Sequence, residues 1–76
     1  MVTAQSIKPG VYQHFKGGLY KLLLIARDSE TEEPVVVYVA LKDGSTWTRK
    51  LSHWTELVQW PDGTFHARFC RIEHAP

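Results

Sequence analysis

The chain has 76 residues, 43% of them hydrophobic and nine of them aromatic, with nine Lys+Arg against eight Asp+Glu for a net charge of +1. That length fits one domain with a small core, the apolar content argues against disorder, and the near-neutral balance lacks the basic excess of a dedicated nucleic-acid binder. The single cysteine, Cys70, excludes an internal disulfide framework and a Cys-x-x-Cys zinc site; no apolar run reaches the ~18 residues of a membrane span, and Met1 to Lys8 carry no secretory pattern, so a reducing, cytoplasmic setting is expected.

Residues 1–8 are expected to be flexible. Pro9-Gly10 opens the ordered chain, and Val11 to Phe15 reads as a short aromatic-rich strand. Lys16-Gly17-Gly18 is a hairpin turn, because glycine tolerates positive φ. Leu19 to Ala26 is an apolar run short enough for a strand. Residues 27–33 hold four acids and one base and form a solvated loop, which leaves the rest of the chain moderately basic. Pro34 opens the next strand, where a missing N–H is tolerated, and Val35 to Leu41 is the clearest strand in the sequence. Val37 and Leu24, one on each apolar strand, are expected in the core.

Asp43-Gly44 predicts a tight hairpin, and Ser45 to Arg49 returns as a strand with Trp47 and Arg49 on one face and Thr46 and Thr48 on the other. Ser52 is placed to cap a helical turn over 52–58, with Leu51, Trp54, Leu57 and Val58 as its apolar stripe and Glu56 in its first turns. Pro61-Asp62-Gly63 is a turn. Thr64 to Ile72 reads as a last strand with Phe65, Ala67 and Phe69 alternating against His66, Arg68 and Cys70, and residues 73–76 as a frayed tail. Five short strands, tight turns and one helical turn predict an all-β domain, a small SH3-like five-stranded barrel, with an OB-type barrel as the alternative.

Taken in order, Gly10-Val-Tyr12-Gln-His14-Phe15-Lys16-Gly17, Tyr20, Ala26-Arg27-Asp28-Ser29-Glu30-Thr31, Val36-Val37-Tyr38, Trp47-Thr-Arg49 and Arg68-Phe69 form a pattern. It resembles the small bacterial family numbered sixteen fifty-three among domains of unknown function, over roughly residues 8–72. The resemblance implies a compact β-rich domain, often a short protein by itself, and brings no established activity. The family usually has histidine where this chain has Asp28, proline at Lys50 and phenylalanine at Trp54. Asp28 thereby removes one imidazole from any mechanism that needed it.

Candidate functional residues follow from what shares a face. His14 and Tyr12 lie on one face of the first strand. His14 beside Glu30 would suit a general base oriented by a carboxylate, or a polar tie between strand and acidic loop. Cys70 and His66 are two pleats apart, too far for an activated thiol pair. His14, His53, His66 and His74 form no metal-ligand spacing, and no metal or cofactor is expected. Lys16-Gly17-Gly18 lacks the spacing of a phosphate loop. Tyr12, His14, Lys16, Trp47, Arg49 and Arg68, bordered by Glu30, are left as an aromatic and basic groove. Trp54 is expected in the core. Arg49 either faces a ligand or pairs with Glu30 or Glu32. The expected function is a non-enzymatic binding module for a protein or peptide. Single-stranded nucleic acid is the alternative ligand, and a small hydrolase or lyase using His14 and Glu30 the further one; oligomeric state stays open.

Overall fold

A computed structural model of the chain describes residues 7–72. Strands β1 (Gly10–His14), β2 (Leu19–Arg27), β3 (Pro34–Ala40) and β4 (Thr46–Lys50) are followed by a single helical turn, α1 (Leu51–Trp54). The short strands β5 (Leu57–Gln59), β6 (Phe65–Ala67) and β7 (Phe69–Arg71) complete the chain. The protein is mostly β. Five strands form an antiparallel sheet in the order β4-β3-β2-β1-β7, and β5 and β6 form a separate two-stranded hairpin.

The expected closed barrel is not formed among the described residues: β4 and β7 stand at the two ends of the order with no ladder between them. The sheet is nevertheless rolled, because the Arg49 guanidinium of β4 lies 5.6 Å from the Phe69 ring of β7. The trough between them is filled from one end by α1. Trp54 stacks flat on Phe69 at 3.8 Å, with Tyr12 and Tyr38 meeting the indole edge-on at 5.3 and 5.0 Å. Edge-to-face and stacked contacts of this kind strengthen a small core beyond its buried area. Tyr12, Leu22, Val36, Tyr38, Leu51, Trp54 and Phe69 form that core, with Ile7, Tyr20 and Ile25 packed against it.

Leu24 and Val37 are not in the core. A β-bulge on β2 sets Leu22 opposite Tyr38 but Leu24 opposite Val37, so Leu23 is an extra residue and the inward face switches from Leu22 to Ile25. Leu22 and Val36 are fully buried, while Leu24 is 51% exposed. The bulge lets β2 bend with the roll of the sheet.

The turns also differ in detail. Gly17 has φ +109° and closes a three-residue loop between His14 and Gly18, whose backbones are hydrogen bonded at 2.8 Å. The Asp43-Gly44 hairpin has four loop residues, Leu41 to Gly44, inside the Ala40–Ser45 pair, with Gly44 at φ +75°. It is therefore not the two-residue turn expected. Helix α1 ends at Trp54, short of residue 58. Its N-cap is Lys50 without a side-chain cap, so Ser52 caps nothing, and Glu56 lies beyond the helix. Leu57 and Val58 belong to β5, and Leu57 is exposed. The expected last strand breaks at Arg68 into β6 and β7, which pair with different partners and leave Phe65 exposed and Phe69 buried. Of the ends expected to be flexible, residues 1–6 and 73–76 lie outside the described residues. Ile7 packs on the core and the Lys8 carbonyl accepts a 2.7 Å hydrogen bond from the Tyr12 hydroxyl, so these two are tied down.

Candidate functional site: an aromatic cleft with a cationic rim

Alternation along five strands decides what the inner face presents. Directly opposed residues of an antiparallel pair share a face. The pairs Tyr12–Tyr20, Tyr20–Ala40, Leu22–Tyr38, Tyr38–Trp47, Val36–Arg49 and His14–Phe69 all lie on the side that holds the core. α1 covers the Tyr12–Trp54 end. The other end stays open, and there the aromatic floor continues. Tyr20 meets Tyr38 at 5.6 Å, Phe69 at 5.5 Å and His14 at 6.2 Å, all edge-on. Tyr20, Tyr38, Ala40 and Trp47 line a cleft of about 200 Å³ together with Lys42, Asp43 and Ser45. That volume suits one side chain and is smaller than the usual small-molecule pocket of roughly 300–1,000 Å³.

Trp47 forms one wall and is 54% exposed, yet it is not free to swing. Its indole N–H donates to Ser45 Oγ at 2.6 Å, and that hydroxyl donates to Asp43 Oδ1 at 2.7 Å. The Ser45 hydroxyl and then its backbone N–H hold the Asp43 carboxyl below its ordinary range. An exposed tryptophan fixed by a hydrogen-bond chain loses little rotamer freedom on binding a ligand, which is the physical content of preorganisation.

Arg49 lies two residues beyond Trp47 on β4, on the same inner face. It is half-buried, its guanidinium lies over Phe69, and among the described residues no ion pair involves it. The expected pairing with Glu30 or Glu32 is absent there. His14 sits on the same inner face against Phe69 and Phe15, each at 4.7 Å. Its Nδ1 accepts the Lys16 backbone N–H at 3.1 Å, which leaves the ring proton on Nε2. Partial burial, then the positive charges of Arg49, Arg68 and Lys16, push the His14 pKa below its ordinary value. The imidazole is therefore neutral at pH 7 within a cationic surround.

The remaining candidates divide. Lys16 is exposed, with Nζ 5.7 Å from the Phe15 ring. Arg68 is occupied by the fold: Nε donates to the His53 carbonyl at 3.1 Å and Nη2 to Glu56 Oε1 at 2.7 Å, while the guanidinium lies 5.7 Å from Phe15. Tyr12 is a core residue whose hydroxyl is already bonded, and burial raises its pKa. Glu30 is at the far end of the molecule. His14 lies opposite Gly18 at the start of β2 and Glu30 follows its last residue, so the length of β2, roughly 25–30 Å at the usual rise per residue, separates them. No His14–Glu30 acid–base pair is formed. Asp28 instead organises the loop: its Oδ1 accepts the backbone N–H groups of Glu30 and Thr31, which lower its pKa.

Two constellations escaped the reading of the sequence. Tyr20 and Tyr38 build the cleft, and their alternation in phase with buried neighbours was the available signal. The second is a chain on the β5–β6 hairpin, in which Thr64 Oγ1 lies 2.6 Å from Asp62 Oδ1 and 2.7 Å from His66 Nε2. The carboxylate can only accept, so it takes the Thr64 proton and His66 must donate to the hydroxyl. That direction is the reverse of what an activated nucleophile needs. Cys70 is half-buried, and burial pushes its thiol pKa up, away from reactivity. Among the described residues there is no group of His, Cys, Asp and Glu that could hold a metal ion, and no helix is long and apolar enough to cross a membrane.

Residues 10–71 match the family described as "protein of unknown function (DUF1653)". The chain belongs to this family. It is also similar to the crystal structure of a DUF1653 protein from Bordetella bronchiseptica, with 39% identity, 97% of each chain covered and a TM-score of 0.84. No curated protein matches the chain. Membership of DUF1653 accounts for the shared β-rich architecture and carries no activity with it.

Proposed function

We propose that this DUF1653 domain is a non-enzymatic binding module that recognises a protein or peptide segment through the open end of its rolled sheet. The observation that carries the reading is the pinned Trp47 facing Tyr20 and Tyr38 across a side-chain-sized cleft, with Arg49 and neutral His14 on the same inner face of the sheet. An aromatic slot anchors an apolar or aromatic side chain, and a guanidinium without a carboxylate partner accepts an acidic neighbour in fork geometry. The favoured partner is thus an extended segment carrying an acidic residue beside an apolar or aromatic one. A reducing, cytoplasmic setting agrees with the single free thiol. On this reading the rolled sheet is akin to an SH3-like barrel left open between β4 and β7, with the gap as part of the binding surface.

Panning a random peptide display library against the immobilised domain tests this. Enriched sequences should pair a carboxylate with an aromatic or apolar residue, and Arg49→Ala and Trp47→Ala should each abolish their capture. Enrichment that ignores both substitutions would remove the proposed site. An oligothymidylate titration covers the nucleic-acid alternative: tight binding that falls steeply with salt and needs Arg49, Lys16 and Trp47 would replace the peptide reading.

A further inference from the structure

The inner face is filled or lined as described; the outer face of the same sheet is not what solvent selects. Antiparallel sheets with one wet side ordinarily turn polar residues to it. Here the outer residues of β3 are Val35, Val37 and Val39, none of them among the core residues, and their direct neighbours include Leu24, 51% exposed, and Ala26. The outward neighbours on β4 are Thr46, Thr48 and Lys50.

The charges around this apolar stripe are ordered end to end apart from Lys50, which lies at the acidic end and pairs with Glu33 at 4.0 Å. Val37 is its middle residue. Glu32 and Glu33 precede β3 and Lys42 follows it, so Glu32 and Lys42 stand equally far along the chain from Val37, and both are exposed. Lys21 lies on the outer face at the Lys42 end, opposite Val39. We infer that the outer face of β2, β3 and β4 binds a second copy of this chain, face to face, with β3 running antiparallel over β3 about a two-fold axis near Val37. In that arrangement the acidic loop of each copy covers the Lys21–Lys42 end of the other, and Lys50 falls over Thr46. The alternative two-fold, with its axis along the strands, would lay acidic loop on acidic loop and is disfavoured by like-charge repulsion. Self-complementarity of one patch is what an isologous dimer requires. Three short strands offer less area than a standard stable interface, so association is concentration-dependent. Apart from Lys42, which also lines the cleft, this face lies opposite the cleft, so Leu24→Lys tests the inference independently of the binding reading.

Sedimentation equilibrium of the whole chain from micromolar to millimolar concentration is the test. The mass should rise from 8.7 kDa toward twice that value. Leu24→Lys, at a half-exposed position the fold does not need, should weaken association at least about tenfold by placing an unpaired charge in the contact. Lys42→Glu should weaken it several-fold, and mixing that variant with Glu32→Lys should restore it as a heterodimer. A mass of 8.7 kDa at every concentration would overturn the inference. So would a Leu24→Lys variant that associates like the parent, the result expected if copies instead met edge to edge along β4. Failure of the Glu32→Lys partner to rescue Lys42→Glu would overturn the antiparallel arrangement.

Discussion

The two faces of β2 and β3 are built from nearly the same residues and behave oppositely. Leu22 and Val36 face inward and are fully buried; Leu24 and Val37, one or two positions away, face outward, with Leu24 half exposed. Composition does not separate these pairs. What separates them is the phase of the pleat, reset once at the Leu23 bulge, and the presence of Trp54 and Phe69 on one side only. The comparison teaches that an apolar strand residue in a small sheet is a core residue only if the register brings it to the side where something large is waiting.

Truncation should split the faces most sharply. Trp54→Ala removes a residue that is 1% exposed and stacked on Phe69, and Leu22→Ala opens a cavity at a residue with no exposure at all. Each should cost about 3–4 kcal/mol, enough to leave a domain of this size largely unfolded. Leu24→Ala should cost about 1 kcal/mol or less at concentrations where the chain is monomeric. Urea denaturation of the three variants measures the split. Equal losses for Leu22→Ala and Leu24→Ala would mean that the bulge lies elsewhere in β2.

A second contrast sets two arginines against each other. Arg68 joins three parts of the chain, since it holds the His53 carbonyl, the Glu56 carboxylate and the Phe15 ring together. Arg68→Ala should destabilise the domain by about 1.5 kcal/mol, the scale of hydrogen bonds to charged groups with solvent-exposed partners. Arg68→Lys should recover only part of this, because an ammonium cannot reproduce the fork.

His14 provides a smaller effect with a defined sign. Its pKa is lowered in the folded protein by burial and by Arg49, Arg68 and Lys16. The unfolded chain therefore takes up the proton first on acidification. The His14 contribution is constant above its unfolded pKa of about 6.5 and is lost progressively as pH falls from there to the depressed folded value. Comparing denaturation midpoints at about pH 7.5 and about pH 5.5 should show a larger acid loss for the parent than for His14→Asn. An acidic peptide in the cleft should act oppositely and raise the His14 pKa, visible as a shift in its imidazole NMR titration. An unchanged titration with bound peptide would place the carboxylate away from this imidazole.

Much of this was legible in the sequence, and the illegible parts share a cause. Period-two alternation found β1 to β4 to within a residue or two, while β5 was read as part of the helical turn and β6 and β7 as one strand. It also put Trp47 with Arg49 on one face and Trp54 in the core. Glycine found Gly17 and Gly44 because positive φ leaves a compositional mark. The Leu23 bulge leaves none: Leu22 to Ala26 are all apolar, so shifting the phase by one changes no visible pattern. The break at Arg68 likewise has no glycine or proline to announce it. Glu30 was wrongly grouped with His14 because membership of an acidic loop says nothing about which end of a hairpin that loop occupies; only the β1–β2 register decides that. The pinning of Trp47 was encoded locally, in Asp43, Ser45 and Trp47 at alternate positions, and could have been read from side chains that bond two residues along an extended chain.

Arg49→Ala should have the smallest effect on the fold and the largest on binding. The guanidinium has no carboxylate partner among the described residues, so truncation strands no opposite charge. What it loses is the contact over Phe69 at 5.6 Å, an interaction worth about 0.5–1 kcal/mol at exposed sites. It also removes one of the positive charges that depress the His14 pKa, a relief felt only at low pH, where His14 is protonated. The cost at neutral pH should thus be about 0.5–1 kcal/mol, below that of Arg68→Ala. Chemical denaturation reads this before any partner is identified. A loss above about 2 kcal/mol would show Arg49 to be a strut holding β4 to β7 across the gap, and the inner face would lose its recognition group. A negligible loss, together with an upward shift in the His14 imidazole titration, would show that the guanidinium sets the electrostatics of the site while the fold stands without it.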